Sequence, residues 1–260
     1  MKGLCLTLLA AAAFAAASGP AAAAGISVSV TGGYGRIGYG DFNDWVESTN
    51  ASLAGIAELN KMNWVPEAAA ELRYALAPTL SGGLGIGYMK GTSDFEIRVG
   101  ADAISYQHAM RAVPLTATLH WEPPLVALKP YVFGGLGTYH AKLTFRQSFT
   151  QDGATESFEA DLSAWGFGLH GGAGVRFPIV PTVAFDIGVR LRRTEIAGFK
   201  GSAVNQDGET WDAELVKDSV EDPVSGTIDY YGPWPAGGIY RQGAVDLSGF
   251  TIYVGISAGF

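Results

Sequence analysis

From Ser248 the chain reads SGFTIYVGISAGF, and every second residue from Phe250 is apolar: Phe250, Ile252, Val254, Ile256, Ala258 and Phe260, against Thr251, Tyr253, Gly255, Ser257 and Gly259. Alternation with period two marks a β-strand whose faces meet different surroundings. The same pattern predicts strands near residues 26–39, 64–76, 80–90, 105–121, 129–147, 158–177, 182–195 and 240–260, an even set of eight. Their connections alternate in length. APT at Pro78, EPPLVAL with Pro123 and Pro124, and PIVP between Pro178 and Pro181 are short, whereas 40–63, 91–104, 148–157 and 196–239 are long. Short turns at one rim and long loops at the other are the layout of a membrane-spanning barrel.

The faces sharpen that reading. The seventh segment sets Val183, Phe185, Ile187, Val189 and Leu191 against Ala184, Asp186, Gly188, Arg190 and Arg192. The sixth sets Trp165, Phe167, Leu169, Ala173, Val175 and Phe177 against Gly166, Gly168, His170, Gly172, Gly174 and Arg176. In the third, Leu80, Leu84, Ile86 and Tyr88 oppose Ser81, Gly83, Gly85 and Gly87. In the fifth, Tyr131, Phe133, Tyr139, Leu143 and Phe145 are assigned to the apolar outer face, opposite Val132, Gly134, Leu136, His140, Lys142 and Arg146. A lipocalin-like or sandwich domain in water would dress its second face with Lys, Glu and Thr. Gly, Ser and Ala with a few charges fit a cramped lumen instead. The expected fold is all-β: one eight-stranded antiparallel transmembrane β-barrel spanning residues 25–260.

One connection breaks the β pattern. DFNDWVESTNASLAGIAELNKMN carries Asp41 and Asn43 as candidate caps and places Phe42, Val46, Thr49, Leu53, Ile56 and Asn60 at helical spacing. It predicts one short amphipathic helix of about 16 residues in the first extracellular loop. Its apolar stripe has three candidate covers: the barrel mouth, the lipid interface or a partner protein.

Composition narrows the picture further. Residues 1–24, with one Lys, an apolar run from Leu4 to Ala17 and small residues through Ala24, read as a signal peptide for export. Cys5 lies inside that leader, so the mature chain is expected to use no disulfide. A net charge of −8 argues against nucleic acid as a partner. No later stretch is long and apolar enough for a spanning helix, which leaves the closed barrel as the only way through a membrane.

Ending in TIYVGISAGF, after such a leader, the chain resembles bacterial outer-membrane barrels, and in layout the small eight-stranded barrels of the OmpA/OmpX or OmpW type. The resemblance implies residence in the bacterial outer membrane, contact with outer-membrane lipid and lipopolysaccharide, and recognition of the last strand, through Phe260, by the assembly machinery. With no periplasmic domain expected after Phe260, it does not imply peptidoglycan anchoring. A structural or surface-interaction role is the leading expectation. A narrow channel or carrier for small hydrophobic or ionic solutes is the alternative, and a lipid A-modifying hydrolase the third.

The polar set predicts a lumen network of Arg36, Glu67, Glu71, Arg73, His140, Lys142, His170, Arg176, Asp186, Arg190 and Arg192, with His120 near the periplasmic rim. Buried charges are costly unless paired, so acids and bases should meet across strands. If PIVP sets the register, Asp186 falls near Gly174 and Arg190 near His170, and Asp186 reaches for Arg176 or the last strand. The lipid A hydrolases that share this barrel architecture need a His beside a Ser and an acid. The contexts HAM, HWE, HAK and HGG lack a His-x-Ser pattern, and only His108 with Ser105 offers a candidate pair. No cofactor is indicated and no metal spacing is present. The last long loop, with Asp207, Glu209, Asp212, Glu214, Asp218, Glu221, Asp222 and Asp229 against Lys200 and Lys217, reads as a solvated acidic surface loop without an EF-hand pattern.

Overall fold

The alternating segments pair into a closed ring. The computed structural model describes residues 25–52, 59–124, 128–218, 228–229 and 240–259. In chain order its elements are β1 (Ile26–Ile37), α1 (Asp41–Ser52), β2 (Trp64–Ala77), β3 (Leu80–Val99), β4 (Asp102–Trp121), β5 (Lys129–Gln151), β6 (Ala154–Val180) and β7 (Val183–Ala197). They continue with β8 (Lys200–Asn205), β9 (Thr210–Glu214), β10 (Val216–Asp218), β11 (Ile228–Asp229), β12 (Tyr240–Gln242), β13 (Ala244–Asp246) and β14 (Gly249–Gly259). Each of β1 to β6 pairs antiparallel with the next, β7 pairs with β14, and β14 pairs with β1, which closes an eight-strand ring without a free edge. Residues 1–24, on which the expected signal peptide falls, and Phe260, Leu53, Ile56, Glu221 and Asp222 lie outside the described residues.

The outer face carries a continuous apolar band. Leu84 is 69% exposed and Trp165 62%, with Leu72, Ile86, Leu119, Leu136, Phe167, Leu169, Ile187, Val189, Leu191, Ile252 and Val254 also exposed. On β3 the band runs from Leu80 to Tyr88 and ends at Lys90; on β4 it runs from Trp121 to Val113 and ends at Arg111. About nine residues per strand is the span of a hydrocarbon core crossed by a tilted strand. Tyr34 stacks on Trp64 at the band's upper edge, 5.6 Å between centroids, and Trp64 packs edge-on against Phe250. Such rings sit where acyl chains give way to headgroups.

Four strands run well past that band. The predicted loops at 91–104 and 148–157 are instead continuous pairing: β3 and β4 stay in register to Val99 and Asp102, and β5 and β6 to Gln151 and Ala154. Asp152 (φ 50°) and Gly153 (φ 83°) form a two-residue turn of the left-handed kind that matches strand twist. β8 and β9 add a hairpin to the free upper part of β6, so much of the predicted acidic loop is sheet. Asp218 and Asp229 lie in β10 and β11 of a separate three-stranded sheet. The single strand predicted for 240–260 is three, interrupted at Gly243 and at Leu247–Ser248.

α1 covers the upper mouth. Its described part is Asp41–Ser52, 12 residues, and the remainder of the expected helix of about 16 falls on residues 53–58, outside the described residues. Phe42 and Val46 are buried in one apolar cluster with Ile37, Tyr39, Leu59, Met62, Met89, Met110, Leu143, Phe145, Leu162, Ile196, Phe199 and Leu247. The described part of the stripe, Phe42 and Val46, is thus covered by the barrel mouth. Asn43 is not a cap but a tie: its amide donates to Gly38 O (2.7 Å) and Asn63 Oδ1 (2.9 Å), and its Oδ1 accepts from Met62 N (2.9 Å).

Candidate functional site: the lumen network and its lid

Below the apolar cluster the lumen is polar, and strand alternation alone decides which side chains enter it. Odd-numbered residues of β2 point inward, as do even-numbered residues of β4, β6 and β7 and odd-numbered residues of β14. Glu67, on β2, accepts hydrogen bonds from Arg190 Nη1 (2.5 Å), Arg192 Nη1 (3.1 Å) and Thr251 Oγ1 (2.8 Å). Two turns of the pleat below, Glu71 accepts from Arg73 Nε (2.8 Å) and meets His120 Nε2 (2.9 Å). Arg73 also donates to Ser29 Oγ (3.2 Å). At the lower rim Arg176 bridges Asp186 (2.9 Å) and Glu122 (2.6 Å). His170 Nε2 lies 3.0 Å from Thr118 Oγ1. Each buried carboxylate therefore faces at least one guanidinium, which is what makes charge tolerable away from water.

Of the expected residues, Glu67, Glu71, Arg73, His170, Arg176, Asp186, Arg190 and Arg192 lie in the lumen. Three do not. Arg36 shares its parity with Tyr34 and points outward where β1 leaves the apolar band, a depth at which charge reaches headgroups and water. His140 and Lys142 also point outward, because β5 is inverted relative to its expected faces: Tyr131, Phe133, Tyr139, Leu143 and Phe145 are buried inside, while Val132 and Leu136 face out. His140 rests against Trp165 (4.8 Å) and Lys142 pairs with Asp161 (3.0 Å). The inversion has a steric cause. A Cβ at Gly174 would lie 2.6 Å from the Tyr131 ring, and one at Gly188 2.5 Å from the Tyr253 hydroxyl. The glycine face makes room for rings reaching across the lumen, where the Tyr131 and Tyr253 hydroxyls meet at 2.9 Å.

The expected register also shifts. The turn falls between Val180 and Val183 and, with a bulge between Pro178 and Val180, pairs Arg176 with Asp186 and His170 with Arg192, two residues from the expected register. Thr118, Glu122, Tyr131, Tyr253, Thr251 and Ser29 complete the network without having been singled out; parity relative to Ile252 would have marked Thr251 and Tyr253. A cavity of about 40 Å³ lies among Glu67, Glu71, Thr116, Thr118, His170 and Arg190. That volume suits about three water molecules and no larger solute. Among the described residues no group of His, Cys, Asp and Glu is placed to hold a metal.

Above the band, one histidine fastens the lid. His108 Nε2 and Tyr39 Oη share a hydrogen bond of 2.5 Å, and the imidazole lies between Phe42 and Phe145, each 4.2 Å away. Ser105 is on the other face of β4, bonded to Ser148 at 2.8 Å, so the candidate Ser–His pair is not formed. Burial pushes the His108 pKa down to about 3 and raises that of Tyr39. Asp41 lines the same small pocket. A histidine held neutral by closure stabilises the closed lid fully above its ordinary pKa of about 6.5, and that stability is lost as pH falls toward 3. Between pH 7.5 and 4.5 the closed lid should weaken by about 2–3 kcal/mol. Amide exchange across α1 should accelerate accordingly, and His108→Phe should flatten the pH dependence.

Residues 6–214 match the family described as outer membrane protein beta-barrel domain. The chain belongs to that family. The protein is accordingly a β-barrel of the bacterial outer membrane, and the apolar band is its lipid-facing surface. Comparison with curated protein sequences returned no match. Among similar solved structures are a major outer membrane protein from Thermus thermophilus (15% identity, covering 90% of this chain and 99% of that one, TM-score 0.49) and OprG from Pseudomonas aeruginosa (12%, 91% and 97%, 0.40). The outer membrane protease OmpT from Escherichia coli is another (10%, 90% and 96%, 0.41).

Proposed function

We propose that this barrel is a non-conducting anchor whose work is done at the cell surface, where it presents the sheet built by β3–β6 with the β8–β9 hairpin. One observation carries the reading: the upper lumen is a packed apolar cluster closed by Phe42 and Val46 of α1, above charges that are internally paired. A barrel spent on transport would need a water column from rim to rim, whereas the cavity between Glu67 and His170 in the lower lumen holds about 40 Å³. The reading is non-catalytic, supported by the separation of Ser105 from His108 on opposite faces of β4. We further propose that β14 together with Phe260 is the segment offered to the assembly machinery, since β14 closes the ring against β1.

Reconstitution into planar bilayers tests the proposal. The intact protein should give no unitary conductance at neutral pH. Steady, ion-selective steps would overturn the anchor reading in favour of the narrow channel.

A further inference from the structure

Immediately above the lipid-facing band, three cations stand side by side on the outer wall. Lys90 of β3 pairs in register with Arg111 of β4, and Arg111 with Lys142 of β5. All three belong to the outward sets of their strands. Neighbours directly opposite in an antiparallel sheet hold their Cβ atoms about 5 Å apart, and like charges in that relation destabilise the sheet. Only Lys142 has a carboxylate beside it, Asp161 at 3.0 Å. Lys90 and Arg111 make no ion pair among the described residues.

The surroundings form an amphipathic track. Toward the membrane the same outward rows continue as Tyr88, Ile86 and Leu84 on β3, and as Val113, Leu115 and Leu119 on β4. Away from it they continue as Thr92 on β3, Gln107 on β4 and Thr144 on β5. A molecule lying along this wall meets apolar side chains, then three cations, then hydroxyl and amide groups.

We infer that Lys90, Arg111 and Lys142 form a binding site for the phosphate of an outer-leaflet lipid headgroup, with its acyl chains along Ile86, Leu84 and Leu115. An anionic phosphate offsets the repulsion within the row, and Arg111 supplies the planar fork suited to phosphate oxygens while the two lysines act as point charges. A free phosphate ion carries the same charge but gains nothing from the apolar track, so the lipid is the occupant.

The test titrates the folded, detergent-solubilised protein with bisphosphorylated lipid A, with dephosphorylated lipid A and with inorganic phosphate. The bisphosphorylated lipid should bind at least tenfold more tightly than the other two. Lys90→Gln combined with Arg111→Gln should reduce its affinity to that of the dephosphorylated form, whereas Lys129→Gln at the opposite rim should change nothing. The exchanged side chains are on the outer surface, and folding is checked by the heat-dependent shift in gel mobility. Equal affinity for the two lipids, or an unaltered double variant, would overturn the site. Inorganic phosphate binding as tightly as the lipid would overturn the lipid as its occupant.

Discussion

Replacing Glu67 with Leu is expected to lower the free energy of unfolding by about 3–5 kcal/mol, the largest effect of any single exchange in the lumen. Glu67 is the shared acceptor for Arg190, Arg192 and Thr251. Without it, two guanidinium groups remain packed among Phe133, Tyr139 and Tyr253 with no carboxylate between them. The reference is Glu159→Gln, which breaks the exposed Arg146–Glu159 pair at 2.8 Å. That pair stands in water, where such contacts contribute about 0–1 kcal/mol. Urea unfolding of the protein refolded into lipid vesicles measures both. If the Glu67 variant loses no more than the Glu159 variant, the buried network is not what braces the wall.

Arginine at Val189 should cost about 2–4 kcal/mol, because Val189 lies on the outer face at mid-band between Ile187 and Leu191. Arginine at Ser202, exposed on β8 beyond the band, should leave stability within about 0.5 kcal/mol. Gly188→Arg should fail for a different reason, since its side chain would enter the space held by the Tyr253 ring. Unfolding in vesicles separates lipid exposure from crowding: adding a detergent that wets the outer wall should relieve the Val189 defect and leave the Gly188 defect unchanged.

The legible part of this fold was the part where the two faces differ in size as well as polarity. On β6, β7 and β14, glycine and charge alternate with Phe, Ile and Val, and parity alone placed Asp186, Arg190 and Arg192 inside. β5 resisted because both of its faces carry apolar residues, so polarity could not say that Tyr131 and Phe133 fill space left by Gly172 and Gly174 on the neighbouring strand. His140 and Lys142 were misplaced with it. The strand extensions above the band were hidden by their polar outward sets. The turn signal Asp152-Gly153 sat in what looked like a loop, yet two alternating runs flank it. The register of β6 against β7 needed the bulge at Pro178, which no count of turn residues supplies. The lid was foreseeable as a helix from its spacing, and the barrel mouth was one of three candidate covers; spacing within the helix could not choose among them, since the residues that bury Phe42 come from β4 and β5.

A nitroxide scan along β7, one labelled cysteine at a time from Asp186 to Leu191, tests the account most directly. With the protein in bilayers, accessibility to molecular oxygen, which concentrates among acyl chains, should peak at Ile187, Val189 and Leu191 and fall at Asp186, Gly188 and Arg190. A flat profile, or maxima at the even-numbered positions, would contradict it.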